Sequence, residues 1–130
     1  MKTIKVILTK GKDDYGAWVE GVEGVYGAGN TPAEAKQSIL DAIVLYKKYN
    51  KQVPAILRGD YKIVYKMDTE SLLNYFKGLF TKSGLEKLTG INQKQLHHYS
   101  TGLKKPRPAQ KEKIESALHK LGEELMAVEL

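Results

Sequence analysis

The chain has 130 residues, enough for one ordinary domain or two small ones sharing a core, and its 42% hydrophobic and 28% charged content is that of a globular protein. It contains no cysteine, which excludes a disulfide framework and a thiolate metal site. A net charge of +6 favours polyanionic partners only in general terms, because many basic proteins simply carry solvated lysines.

Ile4, Val6 and Leu8 alternate with Thr3, Lys5, Ile7 and Thr9, which predicts a half-buried first strand. Gly11 to Asp14 is a turn cluster, and Tyr15 to Glu20 reads as a second strand. Gly21 to Gly24 breaks the pattern, and Val25 to Ala28 forms a third, short strand. Asn30 or Thr31 can cap a helix that begins at Pro32, with Glu34 placed as in a capping box. Ala35, Ile39, Ala42, Ile43 and Tyr46 keep helical spacing to about Tyr49. Tyr61, Ile63 and Tyr65 alternate with lysines and Val64, so Asp60 to Met67 is a fourth strand. Trp18 and Tyr26 read as aromatics of the sheet core in preference to a partner-binding surface. Residues 1–67 are therefore expected as a β-β-β-α-β unit.

From Asp68 onward the periodicity is helical, interrupted by Gly78, Gly84, Gly90, Gly102, Pro106 and Pro108. Asp68 or Thr69 caps a helix to about Lys77, two short helices follow, and a long one runs from about Pro108 to Leu125. The expected division is 1–67 and 68–130, giving an α+β protein. Leu85 and Leu88 lie three apart, Gly90 follows where a helix end takes a left-handed conformation, Asn92 can cap the next helix, and Leu96 and Tyr99 are again three apart. Two short helices joined this way form a helix-turn-helix. The outward residues of its second helix are Gln93, Lys94, Gln95, His97, His98 and Thr101, none of them acidic. The stretch Lys94 to Lys113 also holds Lys104, Lys105, Arg107 and Lys111 against Glu112 alone, a focus of positive charge suited to phosphates.

With Gly90-Ile-Asn-Gln93, Leu96, the Gly102-Leu-Lys-Lys exit and a closing helix bearing Ile114, Ala117, Leu118 and Leu121, residues 68–124 resemble the lambda-repressor-like DNA-binding domains of the Cro/C1, xenobiotic-response type. The resemblance implies that Gln93, Lys94 and His98 face base edges. It implies phosphate contacts for Lys82, Asn92, Thr101, Lys104, Lys105 and Arg107. The N-terminal stretch, with Tyr15-Gly-Ala-Trp-Val, Val25-Tyr-Gly-Ala-Gly-Asn-Thr-Pro-Ala-Glu-Ala and a helix ending Leu-Asp-Ala-Ile, resembles the HicB-type antitoxin domain. That resemblance implies a partial ribonuclease-H-like fold, an RNA-cleaving HicA-like toxin as partner, and repression of the protein's own operon.

No enzyme is expected. Asp13 and Asp14 sit in a turn, Glu20 and Glu23 at a strand end, and Asp60 far along the chain, so nothing groups them for two-metal nuclease chemistry. Neighbouring His97 and His98 point in different directions on a helix and do not share a metal easily. No glycine cluster is followed by Gly-Lys-Ser/Thr, so no phosphate loop is present. No cofactor is expected either. The combined reading is an antitoxin-type transcriptional repressor that binds an inverted-repeat operator in double-stranded DNA as a homodimer or tetramer. An orphan regulator without a toxin, or a minimal metal-dependent nuclease, are the alternatives. Residues that touch a toxin are not legible. The first residues lack the long apolar stretch of a signal peptide and no run approaches the ~20 residues of a membrane span, so a cytoplasmic location is expected.

Overall fold

The alternation of the first ten residues becomes strand β1 (Lys2–Lys10), with Ile4, Val6 and Leu8 essentially inaccessible to solvent. In the computed structural model, which describes all of residues 1–130, β1 is followed by β2 (Tyr15–Val19), β3 (Tyr26–Gly29), helix α1 (Pro32–Tyr49), a single 3-10 turn at Ala55–Leu57, β4 (Tyr61–Met67) and helix α2 (Thr69–Tyr75). β1 pairs antiparallel with β2, Val6 opposite Val19 and Lys10 opposite Tyr15. It pairs parallel with β4, Ile4 opposite Ile63 and Leu8 opposite Met67. β3 lies antiparallel on β2, giving one sheet in the order β3-β2-β1-β4. A parallel pair needs a crossover, and α1 supplies it.

Thr31 caps α1, its hydroxyl accepting from the Glu34 backbone N–H at 3.1 Å, while the Glu34 carboxylate accepts from the Asn30 N–H at 2.8 Å. Ala35 closes on Leu8 and Tyr15, and Ile39 and Ile43 meet Ile4, Val6, Ala17, Val19, Val25 and Leu57. Burying each of the larger side chains stabilises by roughly 1.5–3 kcal/mol. The helix comes down hardest on β3. A Cβ on Gly27 would stand 2.5 Å from the Ile39 nitrogen, and one on Gly29 would stand 2.5 Å from the Glu34 Cβ and 2.6 Å from the Ala35 nitrogen.

Trp18 and Tyr26 are not core aromatics. They are 38% and 68% exposed, at outward register positions of β2 and β3, and Tyr26 on the edge strand also borders a groove along α1 with Ser38 and Asp41. The inward positions of β2 belong to Tyr15, Ala17 and Val19, and those of β3 to Gly27 and Gly29, so the period of two sends both aromatics outward. Val25, expected to open the third strand, instead precedes it and is buried.

The chain divides into two compact units, 1–75 and 76–130, so the boundary lies after Tyr75 rather than after Met67. Asp68 explains the difference. One carboxylate oxygen accepts from the Ser71 N–H at 2.8 Å and starts α2; the other accepts from the Lys10 N–H at 2.9 Å, at the end of β1. At the far end of α2, the Tyr75 hydroxyl accepts from Lys36 at 3.1 Å, and the same ammonium lies 4.5 Å from the Tyr65 ring centre. This helix is thus held to the sheet unit, and the all-α unit has three helices: α3 (Lys82–Thr89), α4 (Gln93–Thr101) and α5 (Pro108–Met126). Ile91, Leu96, Tyr99 and Ile114 are its buried apolar residues, with Thr89 buried beside them. No helix is long and apolar enough to cross a membrane.

Gly27→Ala forces a methyl group into the α1 backbone and is expected to destabilise by about 1–3 kcal/mol. Gly16, also on a strand but with nothing within 4 Å of a Cβ, is the control. Urea unfolding of both variants checks this: a Gly27→Ala midpoint as high as that of Gly16→Ala would show that α1 can lift off β3 without cost.

Candidate nucleic-acid interface

α3 and α4 are joined by Gly90, Ile91 and Asn92, and each end is tied down. Thr81 caps α3, accepting from the Gly84 N–H at 2.9 Å. Gly90 ends it in the left-handed region at φ 73°, where a side chain is strained, and donates its N–H to the Glu86 carbonyl. The Thr89 hydroxyl donates to the Leu85 carbonyl and accepts from the Ile91 N–H, so Ile91 is drawn into the core. Asn92 then caps α4, its side-chain oxygen accepting from the Lys94 N–H at 2.8 Å. Leu96 and Tyr99 bury the inner face of α4, and Gly102 closes it with φ 80°.

What remains outside is a stripe. Lys94, His97 and Thr101 are exposed at the i, i+3, i+7 spacing of one helix face. Lys82, the exposed first residue of α3, brings its ammonium to 3.2 Å from His97 Nδ1. Gln93, expected to reach for a base, is half-buried and folded back on α3. Its backbone N–H donates to one Glu86 carboxylate oxygen at 3.2 Å and its side-chain amide to the other at 3.3 Å. His98 is also half-buried, and its Nδ1 is enclosed without a partner. Burial first, then the positive charges of Lys104, Lys94 and His97, hold this imidazole below its ordinary pKa of 6.5. The Thr101 hydroxyl donates to the His98 carbonyl, securing the last turn of α4.

Beyond Gly102, the exposed Lys104, Lys105 and Arg107 border a cleft of about 540 Å3 together with Gln95, Tyr99 and Gln110. The Gln95 amide donates to the Tyr99 hydroxyl at 2.9 Å, and Gln110 Oε1 is enclosed without a partner. Arg107 stands at the cap position of α5 with Pro108 next to it, and the first turn holds no acidic residue. The positive end of a helix dipole, with three cations around it, suits an oxyanion.

The structure thus gathers Lys82 and Lys94 on one patch with His97, and Lys104, Lys105 and Arg107 on the cleft. It commits Asn92 to capping and part of Gln93 to Glu86. Three participants are not legible from the sequence. Residues 97 and 98 are both near one turn from Lys94, and only burial decides that His97 joins the open stripe. Glu86 reaches Gln93 across a turn of a shape no spacing encodes, and Gln110 borders the cleft with Gln95 and Tyr99 of α4 only because the chain turns between α4 and α5. Elsewhere, Glu20 lies 3.9 Å from Lys5, and no group of three or more His, Asp or Glu side chains stands close enough to hold a metal ion.

The folded chain disfavours the proton on His98 and the unfolded chain does not, so unfolding takes up a proton in acid. This contribution to stability is fully present above pH 6.5 and is lost as pH falls from there through the depressed folded value. Thermal unfolding on either side of pH 6.5 is expected to show an acid-side loss that shrinks in His98→Gln. An undiminished loss in that variant would place its origin in another group.

No protein-family model, no curated protein and no solved structure matches the chain, so its own residues carry the functional reading.

Proposed function

We propose that the protein is an antitoxin-type transcriptional regulator. In this reading α3 and α4 form a helix-turn-helix that places α4 in the major groove of an inverted-repeat operator, and the sheet unit is a HicB-like domain that sequesters a HicA-like, RNA-cleaving toxin. The observation that carries the DNA-binding half is the exposed stripe Lys94, His97 and Thr101 on a helix capped at both ends, flanked by Lys82 and by the cleft of Lys104, Lys105 and Arg107. A capped helix with no acid on its open face meets DNA without repulsion, and the flanking cations neutralise phosphates. Glu86 has a positioning role here, fixing the Gln93 amide at the first turn of α4 so that its remaining polar atoms meet a base edge. What supports the antitoxin half is the element order, three strands, a helix and a fourth strand ahead of the helical unit.

A single module buries about 600–1,000 Å2 on DNA, too little for a tight operator complex, so the active form is a dimer with recognition helices about 34 Å apart. The partly buried Leu118 and Leu121 and the exposed Leu125 and Val128, on and after α5, supply apolar surface for that contact. A strictly monomeric mass at micromolar concentration would defeat this part of the reading. Co-expression with the product of a small adjacent reading frame tests the toxin half: a stable complex is expected, and its failure to form leaves a regulator without a toxin.

Base contacts carry sequence information and phosphate contacts do not. Gln93→Ala is therefore expected to cost about 1–3 kcal/mol on the operator and to relax the choice of base at one position per half-site. Lys105→Ala is expected to weaken operator and random DNA alike and to reduce the salt slope by about 0.9 for each phosphate left without its cation. Titrations of both variants on both DNAs at several salt concentrations decide it. If Gln93→Ala weakened both DNAs equally, α4 would not lie in the groove.

A further inference from the structure

Helix α1 covers one face of the sheet, and the other is bare. A one-sided antiparallel sheet ordinarily presents polar residues to water. Here the middle row of the bare face is Tyr26, Trp18, Ile7 and Lys66, directly opposite one another across β3, β2, β1 and β4. Tyr26 and Trp18 are exposed, Ile7 is half-buried, and Val64 in the next row is 44% exposed. Cross-strand neighbours have Cβ atoms roughly 4.5–5.5 Å apart, so the register sets the two aromatic residues side by side at this edge. On one side of it the row Ala28, Gly16 and Thr9 is small, and a Cβ on Gly16 would have nothing within 4 Å. The row beside the aromatic pair therefore carries no large side chain from β2 or β3.

The charges are sorted across the same face. Lys62 and Lys66 alternate outward from β4, and Lys5 lies on β1 beside it, against one acid, Glu20, that already sits by Lys5. Neighbouring strands are roughly 4.8 Å apart, so Lys66 stands roughly 10 Å from the Trp18 strand. The face is aromatic at the β3 edge and cationic at the β4 edge. Those are the two chemistries of a nucleotide strand, a stacking base and a phosphate.

We infer that the bare face of the sheet is a binding platform for single-stranded nucleic acid, RNA in the first instance, with bases stacked on Trp18 and Tyr26 and phosphates held by Lys62 and Lys66. Duplexes are excluded from this role because their bases are already stacked and paired, whereas unpaired bases stack on exposed rings in a sequence-tolerant way. A basic protein partner is disfavoured by the lysines. The platform uses none of the α4 residues.

Trp18 is the only tryptophan in the chain, so its fluorescence reports on this face of the full-length protein. Titration with a short oligouridylate RNA is expected to quench it saturably. Equal quenching by oligothymidylate DNA supports the same site and assigns recognition to base and phosphate rather than to the 2′-hydroxyl. Tyr26→Ala, which keeps the reporter, is expected to bind about tenfold more weakly. Lys62→Gln with Lys66→Gln is expected to flatten the salt dependence by about 0.7 for each phosphate that is no longer neutralised. Trp18→Phe keeps a stacking ring and is expected to retain RNA binding in a labelled-oligonucleotide assay, with operator binding unchanged. The inference is overturned if RNA leaves Trp18 emission unaltered. It is equally overturned if heparin quenches as strongly as RNA, or if the emission responds only to protein concentration or to an added protein, since those outcomes assign the face to plain charge, to a second copy or to a protein partner.

Discussion

The contact on which the first unit depends is the approach of the α1 backbone to β3, where Ile39 and Glu34 occupy the space that Cβ atoms on Gly27 and Gly29 would need. Because α1 sits this low, its apolar stripe of Ala35, Ile39 and Ile43 reaches the inward side chains of β1 and β2 without a gap. Close packing also sets the length of the crossover, delivering the chain through Leu57 to the far edge of β1, where β4 pairs in parallel. One helix saturates one face. Nothing in the unit is left over to cover the other, and every outward residue of β2 and β3 is consigned to it, Trp18 and Tyr26 included.

Polar anchoring plays a comparable part at the ends of helices. Asp68 uses both carboxylate oxygens, one to start α2 and one to hold the end of β1, and so converts a helix that follows the sheet in sequence into part of the sheet unit. In the second unit Thr81, Asn92 and the left-handed Gly90 perform the same service for α3 and α4. A cap is worth about 1 kcal/mol, which is modest for stability but decisive for direction, because it selects the angle at which the next segment leaves. The exposed stripe on α4 faces outward as a consequence of Ile91, Leu96 and Tyr99 being buried.

The sorting of charge follows from these constraints. The second unit concentrates Lys104, Lys105 and Arg107 around the start of α5, where the helix dipole adds to the positive potential. It also pushes the His98 pKa down, by burial and by the nearby cations, and leaves Lys94 of α4 and Lys82 of α3 exposed on the same patch. In the first unit the cations that face the bare side of the sheet come mainly from the edge strand β4, where lysines also discourage unwanted strand pairing. The acids of the same unit are dispersed, and no three or more His, Asp or Glu side chains stand together.

The sequence by itself determined the elements. Period-two alternation marked β1 and β4, Thr31 with Pro32 and Glu34 marked the start of α1, and Gly90 and Gly102 marked both ends of the α4 region, because these signals arise from contacts within a few residues. The tertiary structure decided which face each element shows and to which unit it belongs. Trp18 and Tyr26 look like core residues in isolation, and it is the choice of which sheet face α1 covers that leaves their side of the alternation outward. α2 reads as the first helix of the second unit until Asp68 and Tyr75 find partners on β1 and α1. His97 and His98 are equivalent in spacing, and Gln93 is an open amide, until packing encloses His98 and sets Glu86 beside Gln93. Local patterns are written into neighbouring residues; burial and long-range partners depend on which distant backbone arrives, and no stretch of sequence carries that alone.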